Sequence, residues 1–155
     1  MTNSTSLPQT ADGALQIDLA TIEAAADRIR PHIFQTPLLE SPRLNDFLRR
    51  RLLVKAEALQ HTGSFKLRGA TNAVWSLDDD VRHVVAFSSG NHAQGVARAV
   101  TTRGLKATII MPEDTPATKI EGTKAYGADV VTYDRYTESR EEIGEALSQK
   151  YNANL

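Results

Sequence analysis

The segment His61–Ala70, HTGSFKLRGA, carries the amine best placed for covalent chemistry, that of Lys66. A helix is predicted to open at Gly63 and to run to Trp75, which places Lys66 in its first turn. The positive end of the helix dipole disfavours the ammonium form there, and partial burial beside Phe65 is expected to act in the same direction. A neutral amine is what Schiff-base chemistry requires. A lysine on an ordinary amphipathic helix gives the same pattern, so this segment alone indicates little.

A second segment, Ser88–Gly95 or SSGNHAQG, combines a predicted strand end with a predicted helix start. Backbone N–H groups at such a start have no partner within the helix and form an anion site. The candidate ligand-binding residues are Ser88, Ser89, Gly90, Asn91 and His92. Serine and asparagine are also preferred helix caps, so a capped helix start without a ligand is the competing interpretation. A lone histidine there is more often a loop residue than a base.

Alternating helices and strands position these two segments. The lysine lies on a helix that precedes a strand, and the anion loop directly follows that strand. The predicted strands are His83–Phe87, Ala107–Met111 and Asp129–Tyr133, with helices at Asn91–Arg103, from Thr115 to Gly127 and near Tyr136–Tyr151. This order is typical of an α/β fold with a parallel sheet built from βαβ units. Such sheets bind ligands at the carboxyl ends of their strands, and a three-stranded unit rarely forms a whole site. No strand is predicted after the last helix.

The residues upstream of Lys66 alternate less regularly. A flexible arm is predicted at residues 1–15, which are rich in Thr, Ser and Asn. The elements predicted next are a helix from Asp18 that ends at Pro31, an extended stretch at Thr36–Leu39, a short helix from Ser41 and a strand at Leu52–Ala56.

Composition excludes several functional classes. The chain has 155 residues, of which 41% are hydrophobic and 24% charged, and its net charge is −1. This near-neutral balance gives no electrostatic basis for binding nucleic acid or an anionic membrane. No apolar run approaches the ~20 residues that span a bilayer, and no secretory signal is visible. The absence of cysteine excludes disulfides and thiolate chemistry. A cytoplasmic enzyme or binding protein without a metal site is expected.

The two chemical segments and the residues around them closely resemble the threonine/serine dehydratase and serine racemase family of fold-type II pyridoxal-phosphate enzymes. The matching motifs are Thr36–Leu38, Val54–Glu57, Thr62–Lys66, Arg68–Ala70, Ser88–Ala97, Met111–Glu113 with Lys119, and Tyr126–Ala128. The resemblance covers roughly residues 20–147 and corresponds to the N-terminal half of the family. It implies a tryptophan-synthase-β-like fold. Residues 16–80 would belong to the large lobe, residues 81–155 would form the small parallel βαβ lobe, and the C-terminal half of the family fold is absent.

The resemblance also implies roles. Lys66 would hold pyridoxal 5′-phosphate through its amine, Phe65 would pack near the cofactor ring, and Asn91 would hydrogen-bond its phenolic oxygen. The Ser88–His92 loop would bind the carboxylate of a small amino acid, and Lys66 would remove its α-proton. The implied reaction is α,β-elimination of a hydroxy amino acid to a 2-oxo acid and ammonia. Ser89 occupies the acid/base position of the racemases but is common in dehydratases too, so racemisation stays open.

The sequence departs from the family in two ways. Its nine glycines are scattered, whereas the family has a glycine-rich phosphate loop downstream, and Arg49–Arg51 replaces a glycine turn with what is expected to be a solvated basic edge. An inactive truncated dehydratase, or a racemase-type fragment, is therefore expected, with dimerisation left to a full-length parent. The alternative is a non-catalytic binding module. Leu38, Leu53 and Val54 favour the first interpretation, because a module is expected to carry polar residues there.

Overall fold

A computed structural model describes residues 17–155 of the chain. The predicted arm at residues 1–15 lies outside the described residues. The helices are α1 (Leu19–Ile29), α2 (Pro42–Leu48), α3 (Lys66–Trp75), α4 (Asn91–Thr102), α5 (Ala117–Ala125) and α6 (Arg140–Tyr151), and the strands are β1 (Leu38–Glu40), β2 (Leu53–Lys55), β3 (His83–Phe87), β4 (Lys106–Pro112) and β5 (Asp129–Tyr133). Short 3₁₀ turns follow α1 and β2 at Arg30–His32 and Glu57–Leu59.

Capping explains where the first two helices begin. Asp18 caps α1, since its carboxylate accepts from the backbone N–H of Thr21 at 2.8 Å while the Thr21 hydroxyl accepts from the Asp18 N–H at 3.0 Å. The predicted start at Asp18 is confirmed. The Ser41 hydroxyl caps α2 by accepting from the N–H of Leu44 at 3.4 Å, without a reciprocal bond.

The end of α2 turns through Arg49, whose φ of 51° lies in the left-handed region that glycine adopts most easily. Two residues later, Arg51 donates from Nε and from one terminal nitrogen to the two carboxylate oxygens of Glu40, each at 2.9 Å. The basic edge Arg49–Arg51 was expected to be solvated, but one of its residues, Arg51, connects this turn to β1.

Strands β1 and β2 form a two-stranded antiparallel hairpin, with Leu39 opposite Val54. The apolar side chains of this hairpin are exposed, including Leu38 at 56% and Val54 at 49%. Among residues 17–155, no element covers either face of the hairpin fully, so its apolar surface faces outward.

Strands β3, β4 and β5 form a parallel sheet in that order, which confirms the predicted α/β class. Alternate residues along each strand point to opposite faces. One face packs Ile109 and Met111 against α3, α4 and α5. The other packs Val85 and Ile110 against α6. Helices on both faces bury the central strand β4 almost completely, whereas the edge strand β5 stays partly exposed.

No strand follows α6 among the described residues, as predicted, but a single residue after it bridges to the sheet. Asn154 pairs in parallel with Val84, and its backbone bonds His83 O at 3.0 Å and Val85 N at 2.8 Å. Because α6 crosses the opposite face from α4 and α5, the chain returns to the free edge of β3. The direction of the sheet thus changes at β3, and such a switch point is where α/β sheets bind ligands.

Helix α3 joins the two halves of the described chain, since it packs along α4 and also contacts α1. The predicted division into lobes at residue 80 stays a prediction. Within residues 17–155, no helix has the length and apolar character that crossing a bilayer requires.

Candidate active site

Lys66 lies in the first turn of α3, as predicted, although the helix begins at Lys66 itself and not at Gly63. Its ammonium nitrogen lies 5.3 Å from the centroid of the Phe65 ring. Both side chains are exposed, Phe65 by 60%. The expectation of partial burial beside Phe65 is therefore wrong for the described chain, because both side chains point away from the packed helices and face solvent. The amine is open to a ligand from the solvent side.

Gly95 explains how the lysine comes close to the second segment. A Cβ atom at this buried glycine of α4 would lie 3.3 Å from the carbonyl carbon and oxygen of Lys66 and from the nitrogen of Leu67. Only glycine allows α4 to approach the start of α3 this closely without displacement. The approach places Lys66 one helical turn from the anion loop.

The loop Ser88–His92 joins the carboxyl end of β3 to α4, as predicted. Its N-cap residue is Gly90, and no side chain caps the helix, so the capped-start interpretation is wrong. The first backbone N–H groups of α4 are therefore left for water or a ligand. A Cβ at Gly90 would meet no atom within 4 Å, which shows that space is open directly above the loop.

The polar side chains of the loop differ in their surroundings. Ser88 is half-buried and its Oγ accepts weakly from the Gly90 N–H at 3.4 Å, whereas the Ser89 hydroxyl makes no hydrogen bond to residues 17–155. Partial loss of water around the His92 ring lowers the pKa of that imidazole, and the positive charge of Lys66 lowers it further. His92 and Lys66 are thus close enough to interact electrostatically.

Asn91 has a partner that the sequence motifs did not indicate. The Lys119 ammonium, on α5, donates to Asn91 Oδ1 at 3.2 Å. Because the carbonyl end of the amide is engaged, the two N–H bonds of Asn91 Nδ2 point away from Lys119 and are left to donate. Lys119 was visible in the sequence as part of a matching motif, but its contact with Asn91 spans 28 residues and has no local signal.

Two further contacts fix the loop that precedes Lys66. The Tyr126 hydroxyl donates to the His61 carbonyl at 2.8 Å and so ties the end of α5 to this loop. Arg68, in the first turn of α3, donates to both carboxylate oxygens of Glu57 at 2.7 and 2.8 Å. The Arg68 guanidinium, with a hydrogen bond from Thr36, lowers the pKa of the Glu57 carboxyl to about 2. Sequence reasoning assigned no role to these contacts.

Comparison with known proteins identifies relatives of this arrangement. A family model described as pyridoxal-phosphate dependent enzyme matches residues 29–154. The chain is 47% identical to an L-threo-3-hydroxyaspartate ammonia-lyase of Saccharomyces cerevisiae over 129 residues, which are 82% of this chain and 40% of that protein. A solved serine racemase from Dictyostelium discoideum superposes with a TM-score of 0.85 at 38% identity, over 90% of this chain and 46% of that one. A solved T.th. threonine deaminase gives a TM-score of 0.79 at 46% identity, over 90% and 44%.

The matches cover most of this chain but less than half of each relative, so the chain spans about 40% of the length of the curated relatives it matches. The relatives' names include both ammonia-lyases and racemases. The residues 29–154 carry both the lysine segment and the anion loop. The chain belongs to the pyridoxal-phosphate-dependent enzyme family, in its fold-type II branch of ammonia-lyases, serine racemases and threonine deaminases.

Proposed function

We propose that this chain supplies the lysine and the carboxylate-binding loop of an ammonia-lyase that converts a 3-hydroxy amino acid into a 2-oxo acid and ammonia. The observation that carries the proposal is the packing at Gly95, which brings an exposed lysine amine beside an uncapped helix start. The names of the relatives include hydroxyaspartate ammonia-lyase, threonine deaminase and serine racemase, so they support an amino-acid substrate.

The described residues fit pyridoxal phosphate in part. Lys66 would hold it through the amine, and the free N–H bonds of Asn91 would donate to the phenolic oxygen of the ring. The buried Ser64 hydroxyl, two residues before the lysine, has no hydrogen-bond partner among residues 17–155 and can serve as a further donor or acceptor. None of the nine glycines is adjacent to another, so no glycine-rich phosphate loop occurs in this chain.

When bound, the cofactor ring supplies the electron sink for the pair left at the substrate α-carbon. The backbone N–H groups at the start of α4, with Ser88, would bind the α-carboxylate and fix the substrate on the loop. The Lys66 amine would accept the α-proton of a substrate held on the loop. The β-hydroxyl would leave with that proton as water, and one water would hydrolyse the remaining carbon–nitrogen bond to give the 2-oxo acid and ammonia.

Ser89 supports a second candidate function, racemisation. Its hydroxyl makes no hydrogen bond within residues 17–155, so it is available as an acid or base beside the loop. A racemase would need a proton donor on the face opposite Lys66, whereas an ammonia-lyase would not. Replacement of Ser89 by Ala separates the two, because it would abolish formation of the other enantiomer and leave elimination in place.

The experiment that tests the lyase proposal begins with covalent labelling. The chain is incubated with pyridoxal phosphate, reduced with borohydride and digested, and the modified lysine is mapped by mass spectrometry. We expect one cofactor per chain on Lys66, and no specific labelling in Lys66→Arg. Lys119→Arg is the matched control, because it replaces another lysine near the loop and keeps its charge. Labelling spread over many lysines would contradict the proposal and leave a binding module as the alternative.

Turnover is tested next. Ammonia and 2-oxo acid release from serine, threonine and 3-hydroxyaspartate are assayed with the chain and added pyridoxal phosphate, without borohydride. Gly90→Ala should weaken substrate binding while the fold is kept, because the added methyl group meets no atom of the chain but occupies the space above the loop. Unchanged turnover in Gly90→Ala would contradict the role of this loop.

A further inference from the structure

The residues after α6 turn back to the parallel sheet, and the contacts that hold them converge on His83. Asn152 caps the end of α6 with a φ of 48°, a left-handed conformation that asparagine adopts more readily than most residues. The chain reverses there, and residues 152–155, which we call the return segment, reach the free edge of β3. The Asn154 N–H donates to the His83 carbonyl at 3.0 Å, and the Asn154 carbonyl accepts from the Val85 N–H at 2.8 Å.

The side chain of His83 holds the other end of this reversal. Its imidazole stacks on the ring of Tyr151, the last residue of α6, with the centroids 4.6 Å apart and the planes 7° from parallel. Its Nε2 shares a hydrogen bond of 2.8 Å with Oγ1 of Thr108, on β4. The backbone of His83 thus binds Asn154 while its ring binds Tyr151, so one residue contacts the chain on both sides of the turn.

The return segment is also held by uncharged contacts with α6. The Ser148 hydroxyl donates to the Ala153 carbonyl at 2.6 Å, and the Ala153 N–H donates to the Ser148 carbonyl at 2.9 Å. The Leu155 side chain lies against the helix, since a Cβ at Gly144 would be 3.2 Å from Leu155 Cδ1. A segment this short, with Leu155 half exposed, opens at a low free-energy cost, so its docking is sensitive to changes at His83.

Protonation of His83 opposes this docking because the ring is buried, with 7% of the residue exposed. Loss of water around the ring lowers the pKa of the imidazole, the positive charge of Lys106 on β4 lowers it further, and Asp129 on β5 raises it. On the α6 side, the face of Tyr151 attracts cations, but the Lys150 ammonium already lies 5.0 Å from the centroid of that ring. An imidazolium at this position gains water only when Tyr151 and the return segment move away.

We propose that His83 is a pH-sensitive latch, which holds the return segment on the edge of β3 when neutral and releases it when protonated. In the released state the imidazole titrates near its ordinary pKa of 6.5, and in the docked state it titrates at a lower pH. Docking is therefore strongest above pH 6.5 and weakens about tenfold per pH unit as the pH falls from 6.5 to the docked pKa. Release frees the edge of the strand that leads into the Ser88–His92 loop.

Amide hydrogen exchange of the whole chain, followed by NMR between pH 7.5 and pH 5, tests the latch without cofactor or substrate. Rates are expressed as protection factors, which remove the intrinsic dependence of exchange on pH. We expect the protection of the Val85 and Asn154 amides to fall about tenfold per pH unit below pH 6.5 and then to level off. The Lys106 amide donates to the Arg82 carbonyl at 3.0 Å, on the other side of β3, and should keep its protection.

Substitutions separate the charge of His83 from its ring. His83→Phe keeps an aromatic ring against Tyr151 but cannot be protonated, so the Val85 and Asn154 amides should stay protected at every pH. His83→Gln removes both the ring and the charge, and should lower their protection equally at pH 7.5 and pH 5, which decides the matter if His83→Phe does not fold. His32→Gln is the matched control, because His32 also contacts an aromatic ring, that of Trp75 at 3.9 Å, and it should leave the pH dependence unchanged.

Protection of the Val85 and Asn154 amides that does not change with pH would overturn the inference. A pH dependence that persists in His83→Phe or His83→Gln would also overturn it, because another group would then be the one that titrates. An equal fall in protection at Lys106 would do the same, since His83 would then act on the whole sheet and not on the return segment. The latch does not depend on the proposed function, so Lys66 labelling and amide exchange can fail independently.

Discussion

The N-terminal region, residues 17–60, and the parallel-sheet region, residues 83–154, both contain many apolar side chains but bury them very differently. Leu38 and Val54 in the hairpin are about half exposed, at 56% and 49%, whereas Ile109 and Met111 in the sheet are completely buried. Burial of apolar surface is the main favourable term in folding. The parallel sheet is therefore expected to fold as a stable unit, and the hairpin to depend on other interactions.

Polar contacts hold the N-terminal region instead. Gln60 accepts from the Phe34 N–H at 2.8 Å and donates to the Phe34 carbonyl at 2.9 Å. The Glu57 carboxylate, bonded by Arg68, connects this region to the first turn of α3. Each such contact contributes only about 1 kcal/mol net, less than a buried aliphatic side chain. Lys66 lies where the two regions meet, so the position of the reactive amine depends on both.

The largest difference between the regions should appear on truncation of side chains. Ile109→Ala is expected to lower the free energy of unfolding by about 2–5 kcal/mol, because it leaves a cavity in a closed core. Leu38→Ala should lower it by about 0.5 kcal/mol or less, because that side chain is largely exposed already. Urea unfolding followed by circular dichroism measures both. Similar losses in the two variants would show that the hairpin has apolar cover that residues 17–155 do not supply.

The sequence predicted the parallel sheet better than the hairpin. His83–Phe87 and Asp129–Tyr133 are short stretches rich in valine, and the bounds of β3 and β5 were predicted correctly. The hairpin strands were also predicted, but their antiparallel pairing has no local turn signal. The contact of Asn154 with β3 involves a single residue, and single residues have no periodicity.

Within the site, the motifs located the lysine and the anion loop but not what orients them. The Lys119–Asn91 and Tyr126–His61 contacts join residues 28 and 65 positions apart, so only the packed fold brings them together. The exposure of Lys66 was mispredicted because helix periodicity says which face a residue occupies but not whether another element covers that face.

The ion pair between the regions gives the next largest effect. Glu57→Gln should lower the free energy of unfolding by about 1–3 kcal/mol at pH 7, because Arg68 loses a charged partner. The folded pKa of Glu57, about 2, lies below its ordinary value of 4.5. Its contribution is therefore fully present above about pH 4.5 and is lost as the pH falls towards 2. Unfolding measured at pH 7, 4 and 3 should show the two chains converging.

Glu40→Gln is the control for this measurement. The partner of Glu40 is Arg51, whose side chain is 71% exposed, and both residues lie within the N-terminal region. Glu40→Gln should therefore lower the free energy of unfolding by less than Glu57→Gln. If Glu40→Gln and Glu57→Gln had the same effect, the Glu57 pair would not be the connection between the regions.

The smallest expected changes in the free energy of unfolding come from two glycine substitutions near the reactive lysine. The two changes should have opposite signs. Gly95→Ala places a methyl group 3.3 Å from the Lys66 backbone, so α3 and α4 must separate by a few tenths of an ångström. The strain exceeds the gain in helix propensity, and we expect a net loss of about 1 kcal/mol. Gly69→Ala, on the open face of α3, meets nothing within 4 Å and should stabilise the chain by up to about 1 kcal/mol. Only Gly95→Ala should also slow the reductive labelling of Lys66, because only there does the amine move relative to the loop. Equal labelling in both variants would show that the contact at Gly95 serves packing alone and does not position the lysine.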